Sequence, residues 1–202
     1  MQSDLTIWND FREGKSYALS YIYCCNVELL YQYGRKFTRD DALIKDTIQE
    51  VFYHLIQARG ALGETNNIRF YLMAAFKHRI IRSLHTEKQR DIRDGEDIPY
   101  ELSITYSYED ELIGEETDHN KVRLIRKVLG TITPKQREIL YYRYSCDYSY
   151  DEICKLMSIK YDTARKMVFR ALKSLREHLE PADMIFLFLL KKNPENCPQK
   201  LS

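Results

Sequence analysis

Thirty consecutive residues, 91–120, hold eleven acidic side chains and a single basic one, and this run decides how the rest of the chain can fold. Residues 1–90 carry 13 basic against 10 acidic groups, and residues 121–180 carry 14 against 7. The overall charge of +1 therefore conceals three blocks of different character. A stretch with that much net charge and few apolar residues resists burial. It also contains Gly95, Pro99 and Gly114 and shows no helical period, so it reads as a linker. The expected organisation is two small domains, 1–90 and 121–180, joined by the acidic linker 91–120 and followed by a tail, 181–202. Both domains are expected to be all-α. Gly and Pro together number 12 of 202 residues, about half the usual share, which argues against turn-dense β folds. The hydrophobic fraction of 44% is enough for a core in each domain.

The chain has no apolar run of membrane-spanning length, the longest being the seven residues Met184–Leu190. Met1–Asp10 lacks the basic start and apolar stretch of a signal peptide. Five cysteines without a CxxC pair, two of them adjacent (Cys24 and Cys25), suggest neither a disulfide framework nor a zinc ribbon. A reduced, cytoplasmic protein without membrane insertion is expected. Nothing in the sequence resembles a phosphate-cradling glycine loop, a catalytic carboxylate cluster or an activated nucleophile, so neither an enzyme nor a cofactor is expected. His78 and His85 share a helix face but lack a third metal ligand nearby.

The first block is helical throughout. Leu5, Trp8 and Phe11 mark a short helix stopping at Gly14, and a second runs from about Lys15 to Tyr33. In the segment from Asp40 to Ala58, Ile44, Ile48, Val51, Phe52 and Leu55 point one way at about 100° per residue. Asp46, Gln49, Glu50 and Tyr53 cluster on the opposite side as an acidic, amide-bearing face. From Ile68 to Thr86, Leu72, Met73, Phe76, Ile80 and Leu84 form a buried stripe. Tyr71, His78, Arg79, Arg82 and His85 line the other side. Cations neutralise phosphates and rings stack on bases, so this mixture suits nucleic acid as well as it suits a plain solvated face. The polar loop 59–67 lies between the two helices.

The last block carries the sharpest signals. Val122, Ile125 and Leu129 mark a helix closed by Gly130. Thr133-Pro134-Lys135-Gln136 combines an N-cap threonine, a first-turn proline and a capping-box glutamine, and Ser149-Tyr150-Asp151-Glu152 repeats the box. A short helix to Met157, a turn at Ser158-Ile159-Lys160 and a long helix from Tyr161 make a helix-turn-helix, whose second helix can enter the major groove. Within that helix Asp162, Phe169, Arg170 and Lys173 fall within about 60° of Lys166, with Arg165 at the edge. A phenylalanine in a cationic stripe gains nothing from solvent, whereas a base edge or thymine methyl offers it a partner. Packing on protein is the competing explanation.

In this order and spacing, the motifs resemble RNA polymerase sigma factors of the extracytoplasmic-function class, especially forms common in Bacteroidetes genomes. The segments that carry the resemblance are Asp46-Thr47-Ile48-Gln49-Glu50-Val51-Phe52, Tyr71-Leu72, Thr133-Pro134-Lys135-Gln136-Arg137, Tyr148-Ser149-Tyr150-Asp151-Glu152-Ile153, and Thr163-Ala164-Arg165-Lys166 through Arg170-Ala171. The resemblance implies sigma region 2 at 1–90 and region 4 at 121–180. It assigns Asp46, Gln49 and Glu50 to core RNA polymerase. It gives Asn66, Asn67, Tyr71, His78, Arg79, Arg82 and His85 to the minus-ten promoter element, where an extruded base is captured. It gives Arg143, Lys160, Thr163, Arg165, Lys166, Phe169, Arg170 and Lys173 to the minus-thirty-five element. An anti-sigma factor is the further partner it implies.

This sequence also departs from the family pattern. His78 and Arg82 replace an Asn and an Asp common on the minus-ten helix, and Ser158 and Lys160 replace the usual turn glycine and capping serine. Each of the latter changes should cost about 1 kcal/mol. A polymerase-independent helix-turn-helix regulator is the alternative function.

Overall fold

The computed structural model describes residues 3–91, 124 and 127–179. The acidic linker (except Asp91), the tail with Met184–Leu190, and Val122 and Ile125 lie outside the described residues. The chain divides into two compact units, the first holding helices α1–α4 and the second α5–α7. Among the described residues the regular structure is helical, with no strand.

In the first unit α1 (Asp4–Arg12) starts where the Ser3 hydroxyl accepts the Thr6 N–H, and it buries Ile7, Trp8 and Phe11. It stops at Gly14, whose φ of +90° is open to glycine and strained for other residues. Helix α2 (Ser16–Gly34) turns Ala18, Ile22, Leu30 and Tyr33 inward. Its buried Asn26 is satisfied by donating to the Ile22 carbonyl at 2.8 Å. Helix α3 (Asp41–Ala58) is capped by Asp40, whose carboxylate accepts from Ala42 and Leu43 N–H. A 3-10 turn, Arg59–Ala61, follows, and the loop then leads into α4 (Ile68–Asp91).

Gly34 marks where α2 is pressed against α3 and α4. A Cβ there would stand 2.7 Å from Ile44 Cγ2 and 3.0 Å from Phe76 Cζ. Packing of α2, α3 and α4 seals Tyr33, Ile44, Leu72, Met73, Phe76 and Ile80 from solvent. Each such side chain contributes about 1.5–3 kcal/mol by leaving water. Helix α4 runs five residues past the expected end at Thr86. Apolar periodicity ends there, but Glu87, Lys88, Gln89 and Arg90 are strong helix formers, and propensity carries the helix on. Leu84, expected in the buried stripe, is only half-buried.

In the second unit α5 (Pro134–Leu140) begins at the expected capping box, with Thr133 and Gln136 exchanging both bonds. Arg137 ties this helix to the preceding turn by donating to the Leu129 and Ile132 carbonyls at 3.0 and 2.9 Å. A π-helical turn, Tyr141–Ser145, extends α5, a feature the apolar pattern gave no sign of. It turns Tyr141 and Tyr142 into the core beside Tyr148, and the Tyr142 hydroxyl donates to buried Glu138 at 2.9 Å. Helix α6 (Tyr150–Met157) starts at the second capping box, Ser149 with Glu152. Helix α7 (Tyr161–Arg176) buries Ala164, Val168, Ala171 and Leu175 against α5 and α6.

One expectation about cysteine is corrected: Cys25 is disulfide-bonded, so the chain is not wholly reduced in this structure, while Cys24, Cys146 and Cys154 are free. Cys146 and Cys154 are half-buried, and burial raises the Cys154 thiol pKa, with Asp151 adding to it.

Candidate functional site

The buried stripe of α3 leaves the opposite face to solvent. Asp46, Gln49 and Glu50 are exposed there, and Tyr53 beside them is 59% exposed. Helix α4 packs next to α3 and presents His78, Arg82 and His85 to solvent, with Arg79 half-buried. The two helices are bridged where Arg79 Nη1 lies 3.4 Å from Glu50 Oε2. That pair forms one side of an open groove of about 730 Å³ lined also by Ala75, His78, Arg82, Ser83 and Thr86. Cations, hydroxyls and one carboxylate in a groove between an acidic and a basic helix face give a polar surface suited to phosphate.

Tyr71 is not on the free face expected for it. It is half-buried with its ring centroid 4.9 Å from that of Trp8, and burial raises its phenol pKa. The reason is α1, whose tryptophan fills the space above the first turn of α4. Of the two loop amides, Asn66 is exposed. Asn67 instead caps α4, its Oδ1 accepting the Phe70 N–H at 2.9 Å.

In the second unit the helix-turn-helix is α6, the turn 158–160 and α7. Ser158 adopts φ 54° and ψ 44°, the left-handed conformation the usual glycine would occupy, and Lys160 stands at the N-cap of α7 with no side-chain cap bond. Lys160, Thr163, Arg165, Lys166, Phe169, Arg170 and Lys173 are all exposed, and Phe169 is the most exposed large hydrophobic residue described, at 67%. Ala164, Val168, Ala171 and Leu175 take the other side, so the amphipathic reading of this helix matches its burial. Arg143 is half-buried; it donates to the Tyr148 carbonyl at 2.9 Å and lies over the Tyr150 ring. Its guanidinium thus holds the turn before α6 as well as lying near the surface.

Sequence reasoning missed Asp4 and Trp8, which reach the loop before α4 from more than fifty residues away. Closer in sequence, it also missed that Arg137 ties α5 to the turn before it and that Glu138 takes the Tyr142 hydroxyl. The one available signal was that Trp8 is the chain's single tryptophan.

Two family descriptions match the chain: Sigma-70 region 2 over residues 22–90 and Sigma-70 region 4 over residues 123–175. The ECF RNA polymerase sigma factor SigX of Bacillus subtilis is 25% identical over 164 residues, covering 75% of this chain and 78% of SigX. RNA polymerase sigma-E factor of Streptomyces avermitilis is 26% identical over 170 residues, covering 79% of this chain and 91% of that protein. Among solved structures, CnrH in complex with the cytosolic domain of CnrY superposes with a TM-score of 0.56 at 14% identity, covering 87% of this chain and 96% of CnrH. The sigma factor RpoE of Bartonella quintana, in complex with the anti-sigma factor NepR, gives 0.53 at 15% identity, covering 82% and 96%. These two share the fold. The paired region 2 and region 4 matches, in that order and spanning more than half the chain, show that it belongs to the RNA polymerase sigma factors of the extracytoplasmic-function group.

Proposed function

We propose that this sigma factor divides its work among three surfaces, each carried by a helix face described above. The α3 face with Asp46, Gln49 and Glu50 docks on core RNA polymerase. Asn66 in the loop before α4, together with His78, Arg79, Arg82 and His85 on α4, engages the opened minus-ten element. Helix α7 reads the minus-thirty-five element in the major groove. There Arg165, Lys166 and Phe169 face base edges, and Lys160, Thr163, Arg170, Lys173 and Arg143 lie toward the phosphates. Tyr71 and Asn67 support the minus-ten surface rather than forming its contacts, since their side chains are engaged within the protein. The domain limits are taken as region 2 at 1–90, linker 91–120 and region 4 at 121–180. The chain works without catalytic chemistry or a cofactor of its own, in the cytoplasm, and its motifs align it with forms common in Bacteroidetes.

The observation that carries this reading is Phe169, exposed in the middle of a cationic stripe on the second helix of a helix-turn-helix. Burial is where a phenylalanine gains about 1.5–3 kcal/mol, so an exposed one at this position fits a surface completed by a partner. CnrH and RpoE are each solved with a bound protein partner, the latter an anti-sigma factor. By likeness to them, an anti-sigma factor covering these faces is the second partner proposed here. No helix among the described residues is long and apolar enough to cross a membrane.

In vitro transcription with purified core polymerase over a promoter library tests the reading. Arg165→Ala combined with Lys166→Ala should abolish promoter selection while co-purification with core persists. Gln49→Ala combined with Glu50→Ala should weaken co-purification. Full transcription by the first variant, or wild-type core retention by the second, overturns the corresponding assignment. Tight binding of duplex promoter by the isolated protein would favour the polymerase-independent regulator instead.

A further inference from the structure

Both ends of the loop before α4 are held by one helix. The Trp8 indole Nε1–H donates to the Gly63 carbonyl at 2.8 Å, and the Ile68 N–H donates to Asp4 Oδ2 at 2.9 Å. Asp4 and Trp8 are four residues apart on α1, so they project from the same side, one turn above the other. Trp8 is fully buried, its ring centroid 5.8 Å from that of Phe11 and 4.9 Å from that of Tyr71. The interior of the loop is also set. The Thr65 hydroxyl accepts the Asn67 N–H at 3.2 Å and donates to the Asn67 carbonyl, while Asn67 caps α4. What remains free is the tip, where Glu64 and Asn66 are exposed.

These contacts exceed what is needed to start a helix. Asn67 already caps α4, so the Asp4 bond to Ile68 is an additional anchor reaching across 64 residues of sequence. A six-residue segment with both ends and its turn fixed has given up much of its backbone entropy before any ligand arrives. Capturing a base out of a duplex costs a few kcal/mol of unstacking, and a loop that must also order itself would add to that barrier.

We propose that α1 is a positioning element for promoter opening. Asp4 and Trp8 hold the 63–68 loop in its working shape, so that the tip around Asn66 meets an extruded base without first becoming ordered. This rests on the minus-ten role given to the loop above. Neither residue touches DNA; both act through the loop.

The test uses holoenzyme reconstituted from core polymerase and the full chain, on a promoter recovered with the wild-type protein from a randomised library. That promoter is supplied in two forms, fully duplex and with a pre-opened bubble across the minus-ten region. Trp8→Phe removes the indole donor while keeping an aromatic ring, and Asp4→Ala removes the exposed anchor without disturbing the core. On duplex template each should slow open-complex formation roughly fivefold, the rate equivalent of one hydrogen bond. On the pre-opened template both should match wild type. Amide exchange at Ile68 should quicken in Asp4→Ala while α2 and α3 stay protected. Wild-type rates on duplex, or an equal loss on both templates, would overturn the inference and leave the sigma-factor reading intact. A wild-type holoenzyme that initiates from neither template would overturn that reading, and the inference with it.

Discussion

The turn of the helix-turn-helix carries a strain that one substitution should relieve. Ser158 sits at φ 54°, ψ 44°, closing α6 with its own N–H on the Cys154 carbonyl, and the next N–H, of Ile159, reaches the same carbonyl at 3.2 Å. An L-residue in this left-handed conformation costs about 1–2 kcal/mol relative to glycine. Glycine gives back about 0.5–1 kcal/mol because its unfolded chain is freer. Ser158→Gly should therefore stabilise the second unit by about 0.7 kcal/mol. For a unit of this size that raises its melting temperature by about 3–5 °C. Lys160→Ser should add a similar amount. Lys160 has the extended N-cap geometry (φ −75°, ψ 152°) but no side-chain bond, and a serine oxygen there would accept a first-turn N–H for about 1 kcal/mol. Thr133 and Ser149 already make such bonds in the same unit. Thermal unfolding followed by far-ultraviolet circular dichroism measures the gain, and fluorescence of the single tryptophan, Trp8, reports the first unit separately. Ser158→Val should move the melt the other way, since a β-branched residue tolerates this conformation least. A Ser158→Gly protein that melts at or below the wild-type temperature would refute the strain argument.

Three other outcomes are expected. Gly34→Ala should destabilise the first unit by about 1–3 kcal/mol, because the added methyl meets Ile44 at 2.7 Å, and denaturant titration would show it as a lower midpoint. Phe169→Ala should change stability by less than about 0.5 kcal/mol, being mostly exposed, yet reduce promoter-directed transcription severalfold; a large loss of stability would mean the ring is buried in solution. The third concerns acid. Hydrogen bonds from Lys15 and Tyr17 hold the Asp10 carboxyl below its ordinary value of 3.8, and Arg35 with Tyr31 does the same for Asp41. The unfolded chain therefore takes up these protons first. Both groups favour the folded state above about pH 4 and lose that contribution as pH falls further. Asp10→Asn with Asp41→Asn should flatten the acid limb of stability, measured by midpoint against pH, and an unchanged limb would count against these pairs.

Much of this protein was legible because its signals are local. Capping depends on residues three apart, so the boxes at Thr133 and Ser149 predicted the starts of α5 and α6. The 3.6-residue period separated the buried and exposed sides of α3 and α7, and with them the surfaces given to polymerase and DNA. The missing turn glycine also had a structural consequence at Ser158 that sequence reasoning anticipated.

Sequence alone thus settled where most helices begin and the buried and exposed sides of α3 and α7, since these follow from short-range bonding and from the partition of side chains between water and core. Tertiary structure decided how exposed side chains are spent. Tyr71 was claimed by Trp8, and the ends of the loop before α4 by a helix some sixty residues earlier. Periodicity assigns a side chain to a face but carries no information about which distant segment will pack there. Such long-range contacts exist only once the chain has closed on itself, and in this protein they fix the shape of the loop proposed to open the promoter.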